Sequence, residues 1–163
     1  MKPFLFTLGM LLLYVVFLTY QSDHNLYVRQ LEQLKQVADE CSSSAGMYYD
    51  EALFSEGKTI YNQIECEKVI DYIIKANLRL DNNFVPISDS YWTDKVTYRV
   101  TYLDHSNTSF PYNYIDPNGR FTKTVAEPTI IVIIDAGKPP YRLTFLKPKH
   151  AIRTSAYEYW HSY

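Results

Sequence analysis

The sequence predicts an α+β fold: an N-terminal transmembrane helix that continues into a long amphipathic helix, then a second helix, then an antiparallel sheet of three to four strands. Three observations predict it. Residues 3–20 form an uncharged apolar run of eighteen residues. Apolar and small residues then recur at helical spacing over 27–52. From Val96 onward the apolar period is that of strands.

The run at 3–20 is long enough to cross a hydrocarbon core of about 30 Å as a helix. A cleaved secretory signal has a shorter apolar stretch and a small-residue cleavage site. Here the run ends Phe17-Leu18-Thr19-Tyr20-Gln21, with no such site, and the first cysteine is Cys41, too far on for a lipoprotein signal. Thr7 and Thr19 do not make the polar stripe of a soluble core helix. Residues 1–22 are therefore expected to be an uncleaved membrane anchor, and residues 23–163 one extracytoplasmic α+β domain. Lys2 ahead of the run places the N-terminus in the cytoplasm by the positive-inside tendency.

Tyr27, Leu31, Leu34, Ala38, Cys41, Ala45, Tyr48 and Ala52 are spaced alternately by four and three, a heptad seam between polar residues. Small residues at its middle let a neighbouring backbone approach. Ser42-Ser43-Ser44 and Gly46 lower helix propensity and mark a point of kinking or breakage. Gly57 within Ser55–Thr59 reads as a helix stop. A second helix is expected over 60–80, with Ile60, Ile64, Val69, Ile70, Ile73, Ile74 and Leu78 on its apolar face and Asp81-Asn82-Asn83 ending it.

Val96, Tyr98, Val100 and Tyr102 alternate with polar residues, as in a strand with one wet face. A long loop is expected over 104–127, with a turn at Asp116-Pro117-Asn118-Gly119. Thr129 to Asp135 is a continuous apolar strand, covered on both faces and so central. Further strands are expected over 141–146 and 150–160, separated by Pro148.

The chain carries 16 tyrosines and enough further apolar area for a core. The net charge of −2 and the lack of a basic patch make nucleic acid a poor partner. Cys41 and Cys66 are the only cysteines. In a hairpin turning at Gly57 their depths differ by roughly 10 Å, which predicts two free thiols. His24, His105, His150 and His161 are scattered, without metal-ligand spacing. No nucleophile, phosphate-loop or dinucleotide motif is present. Asp81-Asn82-Asn83 and Asp116-Pro117-Asn118-Gly119 lack EF-hand spacing and read as turns. No catalytic, cofactor-binding or metal-binding residue is assigned. Asn107-Thr108-Ser109 is an N-glycosylation sequon in a surface loop. The aromatic tail 157–163 is either an edge strand or a partner-facing patch.

The apolar segment running into a helix with small residues at Ala38, Cys41 and Ala45, the apolar strand at 128–134, and the close Ile152-Arg153-Thr154-Ser155-Ala156 resemble the minor pilins and pseudopilin-like proteins of bacterial tight-adherence systems. The prepilin peptidase signature of glycine then glutamate is missing, since Gly9 lies inside the run. The resemblance implies a non-enzymatic membrane-anchored subunit of a surface pilus or secretion-type assembly. Protein partners, copies of the chain among them, would be held through the apolar segment and the 27–52 seam. The alternative expectation is a membrane-tethered binding or accessory domain, and a third class, an enzyme, has no motif in its favour.

Overall fold

The computed structural model describes residues 2–119, 121–143, 145 and 148–159. Helix α1 runs unbroken over Lys2–Ala45. It is long and apolar enough to cross a membrane, and none of its apolar window is buried against the rest of the chain. A short helix α2, Glu51–Ser55, and helix α3, Gln63–Leu78, follow. Strands β1 (Thr97–Leu103), β4 (Thr129–Asp135) and β5 (Ile152–Glu158) form an antiparallel sheet in the order β1-β4-β5. Strands β2 (Tyr112–Ile115) and β3 (Thr122–Val125) pair as a separate antiparallel hairpin. The expected α+β class holds, with the apolar strand at its centre.

The pattern of β4 organises the packing. Side chains alternate faces along a strand, so Ile130, Val132 and Ile134 enter the cluster shared with α1 and α3. Ile131 and Ile133 enter a second cluster with Leu103, Tyr114 and Val125, covered by the β2–β3 hairpin. Four of these five β4 side chains are fully buried, each worth about 1.5–3 kcal/mol relative to exposure. Three layers result: helices, sheet and hairpin.

Several expectations are corrected. The loop at 104–127 contains the β2–β3 hairpin, with Asp116-Pro117-Asn118-Gly119 as its turn. The buried Asp116 carboxylate accepts the Asn118 N–H at 3.2 Å and pairs with Arg99. The expected strand at 141–146 is not formed at Tyr141, Arg142, Leu143 or Phe145; Thr144 and Leu146 lie outside the described residues. Pro139, Pro140 and Pro148 supply no backbone N–H, and Arg142 is held by α1 instead.

The helix seam ends at Ala45, short of Tyr48 and Ala52. The Ser42 and Ser43 hydroxyls donate back to the Asp39 and Glu40 carbonyls, which competes with helix propagation. Asp50 then caps α2, accepting N–H bonds from Ala52 and Leu53. Gly57, at φ +81°, follows α2. Helix α3 starts at Gln63, later than expected, on Asn62 as N-cap. Ile60 lies outside it, and Ile64 is 69 % exposed, so neither belongs to its buried face. The last strand is shorter than expected, and Trp160 lies outside the described residues.

Candidate interaction surface along the first helix

Three faces of α1 have distinct environments. The core face carries Leu34, Val37, Ala38, Cys41 and Ala45, all buried, with Tyr27 and Leu31 packed at its lower edge. Thus six of the eight seam residues lie on this helix and face the sheet and α3; Val37 joins them. The segment 4–18 has no cover from the rest of the chain. Between them, Leu26 and Val28 are 46 % and 39 % exposed on the outer half of the helix. Two shallow depressions flank these residues, one bordered by Leu18, Ser22 and Arg29, the other by Leu31, Lys35 and Arg153.

Polar contacts fix the sheet to α1. The Ser155 hydroxyl donates to Asp39 at 2.6 Å and lies 2.8 Å from the Ser42 hydroxyl. Lys35 pairs with the same carboxylate. Burial would raise the Asp39 pKa, but the hydrogen bonds from Lys35 and Ser155 outweigh it and hold the group below the usual carboxylate range. Ser155 belongs to the Ile152-Arg153-Thr154-Ser155-Ala156 close, and its role here is to dock β5 on the helix. Beyond Ala45, Gly46 lies against the Tyr157 ring, where a Cβ would come within 2.5 Å of it. Tyr159 stacks edge-on with Tyr49 and Phe54. The part of the aromatic tail that is described is therefore packed against this chain; residues 160–163 lie outside it.

At the opposite, lower end, Tyr141 and Arg142 reach α1. Asp23, only 8 % exposed, accepts the Arg142 backbone N–H at 2.9 Å and its Nε–H at 2.7 Å. The Arg142 Nη2 lies 3.4 Å from the Thr19 carbonyl. Tyr141 packs edge-on against Tyr20 and Tyr27, and His24 stacks on Tyr20. No sequence signal announces this contact, whose partners are 119 residues apart.

The remaining candidates are separate from one another. Cys41 and Cys66 are free and fully buried. The Cys41 thiol faces the Ile70 carbonyl and the Cys66 thiol donates to the Ala45 carbonyl at 3.2 Å. The two are thus offset by four residues along the helix pair, about 6 Å, less than the hairpin about Gly57 predicts. Adding an interhelical spacing of about 8–10 Å keeps them beyond disulfide reach. Burial pushes the thiols up, Cys41 to about 12 and Cys66 to about 11, so neither is a ready nucleophile.

His105 accepts the Thr59 N–H at 3.0 Å and His150 lies 3.1 Å from Asp135; His161 is outside the described residues. Among the described residues no three His, Cys, Asp or Glu side chains gather as a metal site. Asp81 accepts N–H bonds from Asn83 and Val85, closing a turn. The Asn107 amide is engaged with the Tyr102 carbonyl and the Asp104 N–H. A polar cavity of about 300 Å³ between α1, α3 and the segment after it is lined by Gln30, Gln33, Arg79, Asp89 and Trp92.

Comparison with family models, with curated proteins and with solved structures finds no match.

Proposed function

We propose that this chain is a non-enzymatic, single-pass membrane subunit of a surface pilus or secretion-type assembly, with its N-terminus in the cytoplasm and its α+β domain outside. The observation that carries the reading is the continuity of α1. One helix leaves the apolar segment and enters the domain core without a linker, while its lower half carries uncovered apolar residues. Such a helix presents a fixed surface to neighbours, as a packing subunit requires. In lipid, hydrophobicity gives helices no net attraction to one another, so association depends on close packing at small residues. Gly9 is the small residue inside the run, with open space around it. Leu26 and Val28 are further exposed apolar side chains beyond the run, on two different sides of the helix. The raised thiol pKa values leave Cys41 and Cys66 poor nucleophiles, and the described histidines His24, His105 and His150 each lie within hydrogen-bonding distance of a partner in this chain.

Photocrosslinkers placed from Leu5 to Leu18 and at Leu26 and Val28 test the proposal in cells. Protein adducts, to a copy of the chain or to another subunit, are expected at several positions. Lipid adducts alone, from a functional protein, would overturn it. The second reading, a tethered binding domain, draws on the polar cavity beside Trp92. Loss of function on filling that cavity (Ser90→Trp) with an unchanged crosslinking pattern would favour it.

A further inference from the structure

Strand β5 is an edge of the three-stranded sheet, whose order is β1-β4-β5. Backbone groups along an antiparallel strand point alternately to its two sides. The Ala151 carbonyl accepts the Ala136 N–H at 2.9 Å, and the Tyr159 N–H donates to the Pro128 carbonyl at 2.8 Å. Odd positions of β5 therefore face β4, and the N–H and C=O groups of Thr154 and Ala156 face away from it. Among the described residues no hydrogen bond reaches these outward groups. Sheet edges are commonly blunted by bulges or proline. Here β5 pairs residue for residue with β4 from Ile152 to Glu158, without bulge, proline or glycine. The β1 edge, in contrast, is closed at both ends. Asn107 donates to the outward Tyr102 carbonyl at 2.9 Å, while the Phe84 ring packs on Tyr98 and the Phe84 carbonyl accepts the Val96 N–H.

A shallow depression of about 550 Å³ adjoins this edge, between Arg153 of β5 and Val28, Leu31, Glu32, Lys35 and Gln36 of α1. No residue of β4 borders it, so it lies on the open side of β5. Arg153 shares the α1 face of β5 with Ser155, whose hydroxyl meets Asp39. The Arg153 guanidinium donates to the Ile152 carbonyl at 3.0 Å and has no carboxylate partner among the described residues. Lys35, on the same rim, is taken by Asp39. The edge thus offers backbone donors and acceptors, an apolar recess beside Val28 and Leu31, and one cation without an anion.

We propose that the β5 edge is a docking site for one extended segment of a partner protein, which adds a fourth strand to the sheet. Backbone hydrogen bonds to Thr154 and Ala156 supply affinity, and alternate side chains supply specificity. The segment that fits carries an apolar side chain for the recess and a carboxylate level with Arg153. A second copy of this chain does not fit. Neighbouring strands rotate by about 20–25°, so a copy joining its β1 to β5 would set its α1 about 60–75° away from the first. Two β5 edges paired antiparallel would point their helices in opposite directions, because β5 runs along α1 from Arg153 beside Leu31 to Tyr157 beside Gly46. Neither arrangement suits two anchors in one bilayer. That exclusion rests on the reading of α1 as an anchor; the open edge does not.

The test pans a random library of linear peptides against the full chain in mild detergent, then measures the recovered binders by affinity and by amide hydrogen exchange. Peptides with apolar residues at alternate positions and an Asp or Glu are expected. Bound, they should slow exchange at Thr154 and Ala156 and leave Ser155 and Tyr157, already paired to β4, unchanged. Thr154→Pro removes an outward N–H that the β4 ladder does not use, a place where an edge strand tolerates proline. Binding is expected to fall about tenfold, the loss of one backbone hydrogen bond. Arg153→Gln should weaken the acidic binders. If Thr154→Pro unfolds the chain, the exchange pattern of the parent protein decides. No binder, or binders that leave Thr154 and Ala156 unprotected, overturns the proposal. Protection of these two amides without peptide, rising with protein concentration, identifies a second copy as the occupant and overturns it too. Insertion of α1 is read separately by the crosslinkers from Leu5 to Leu18, so failure of the anchor and failure of the edge are told apart.

Discussion

Gly46 gives the sharpest test of how the first helix ends. A Cβ on Gly46 would lie 2.5 and 2.6 Å from two carbons of the Tyr157 ring, against 3.4 Å for ordinary contact. The ring would have to move by about 0.9 Å. Its backbone cannot follow freely, since Tyr157 is registered against Ile130 in the central strand. Overpacking of this kind costs about 1–3 kcal/mol. The loss of chain freedom in the unfolded state gives back about 0.4–1 kcal/mol, because the Gly46 backbone is not left-handed and alanine fits it. Gly46→Ala should therefore destabilise by up to about 2.6 kcal/mol. In a Tyr157→Ala background the clash is gone, and the same substitution should be neutral or stabilising by up to about 1 kcal/mol. Urea denaturation of the full chain in mild detergent, followed by tryptophan emission, measures all four corners of the cycle. A Gly46→Ala effect that is the same in the parent chain and in the Tyr157→Ala background refutes the close approach of Tyr157.

Three further outcomes are expected. Thiol reagents at neutral pH should leave Cys41 and Cys66 unmodified in the folded protein and titrate two thiols after unfolding under non-reducing conditions; a folded, readily modified thiol would contradict their burial. Acid should weaken the fold through Asp39 and Glu158. Burial opposes ionisation of Glu158, but N–H bonds from Ala126 and Glu127 and the Lys123 ammonium outweigh it, and its pKa is lowered as that of Asp39 is. A carboxylate with a lowered folded pKa contributes stability that is present above the unfolded value, about 4, and is lost as pH falls through the folded value. Urea midpoints should drop below about pH 4, and less so in Asp39→Asn. Ala45→Leu should overfill the α1–α3 contact and cost about 1–3 kcal/mol, read as a lower urea midpoint with α1 still inserted.

Much of this fold was legible because its strongest signals are periodic. The uncharged run, the seam from Tyr27 to Ala45 and the unbroken apolar strand each report a face to be covered, and period alone names the element. The hairpin was not read because Tyr112-Asn113-Tyr114-Ile115 and Thr122-Lys123-Thr124-Val125 are short and polar, set among turn residues. Alternation of Tyr112 and Tyr114 about the Asp116-Pro117-Asn118-Gly119 turn was the available signal. The segment at 141–146 looked like a strand because Tyr141, Leu143 and Leu146 are apolar. Its real partner, Asp23, is a single carboxylate far away in sequence, and tertiary pairing of that kind leaves no local pattern. The end of α1 at Ala45 was marked by the serines and Gly46, yet the seam spacing runs on through Tyr48 and Ala52 by coincidence with the next turn and helix.

The central strand explains why the apolar segment and the domain form one object. A strand apolar on both faces must be covered twice. The β2–β3 hairpin covers Ile131 and Ile133, and α1 with α3 covers Ile130, Val132 and Ile134. The element that closes the core is thus the same helix that carries the apolar run. At about 1.5 Å per residue, its 44 residues extend about 66 Å without a flexible joint. Two clamps hold the domain along this rod, Ser155 to Asp39 near the top and Arg142 to Asp23 near the bottom. If α1 spans a membrane as proposed, its rotation there would turn the whole domain, and a neighbour gripping the lower half of α1 would set the direction in which the sheet and hairpin face. Such stiffness is what the proposed assembly reading uses and a flexibly linked tether would not need.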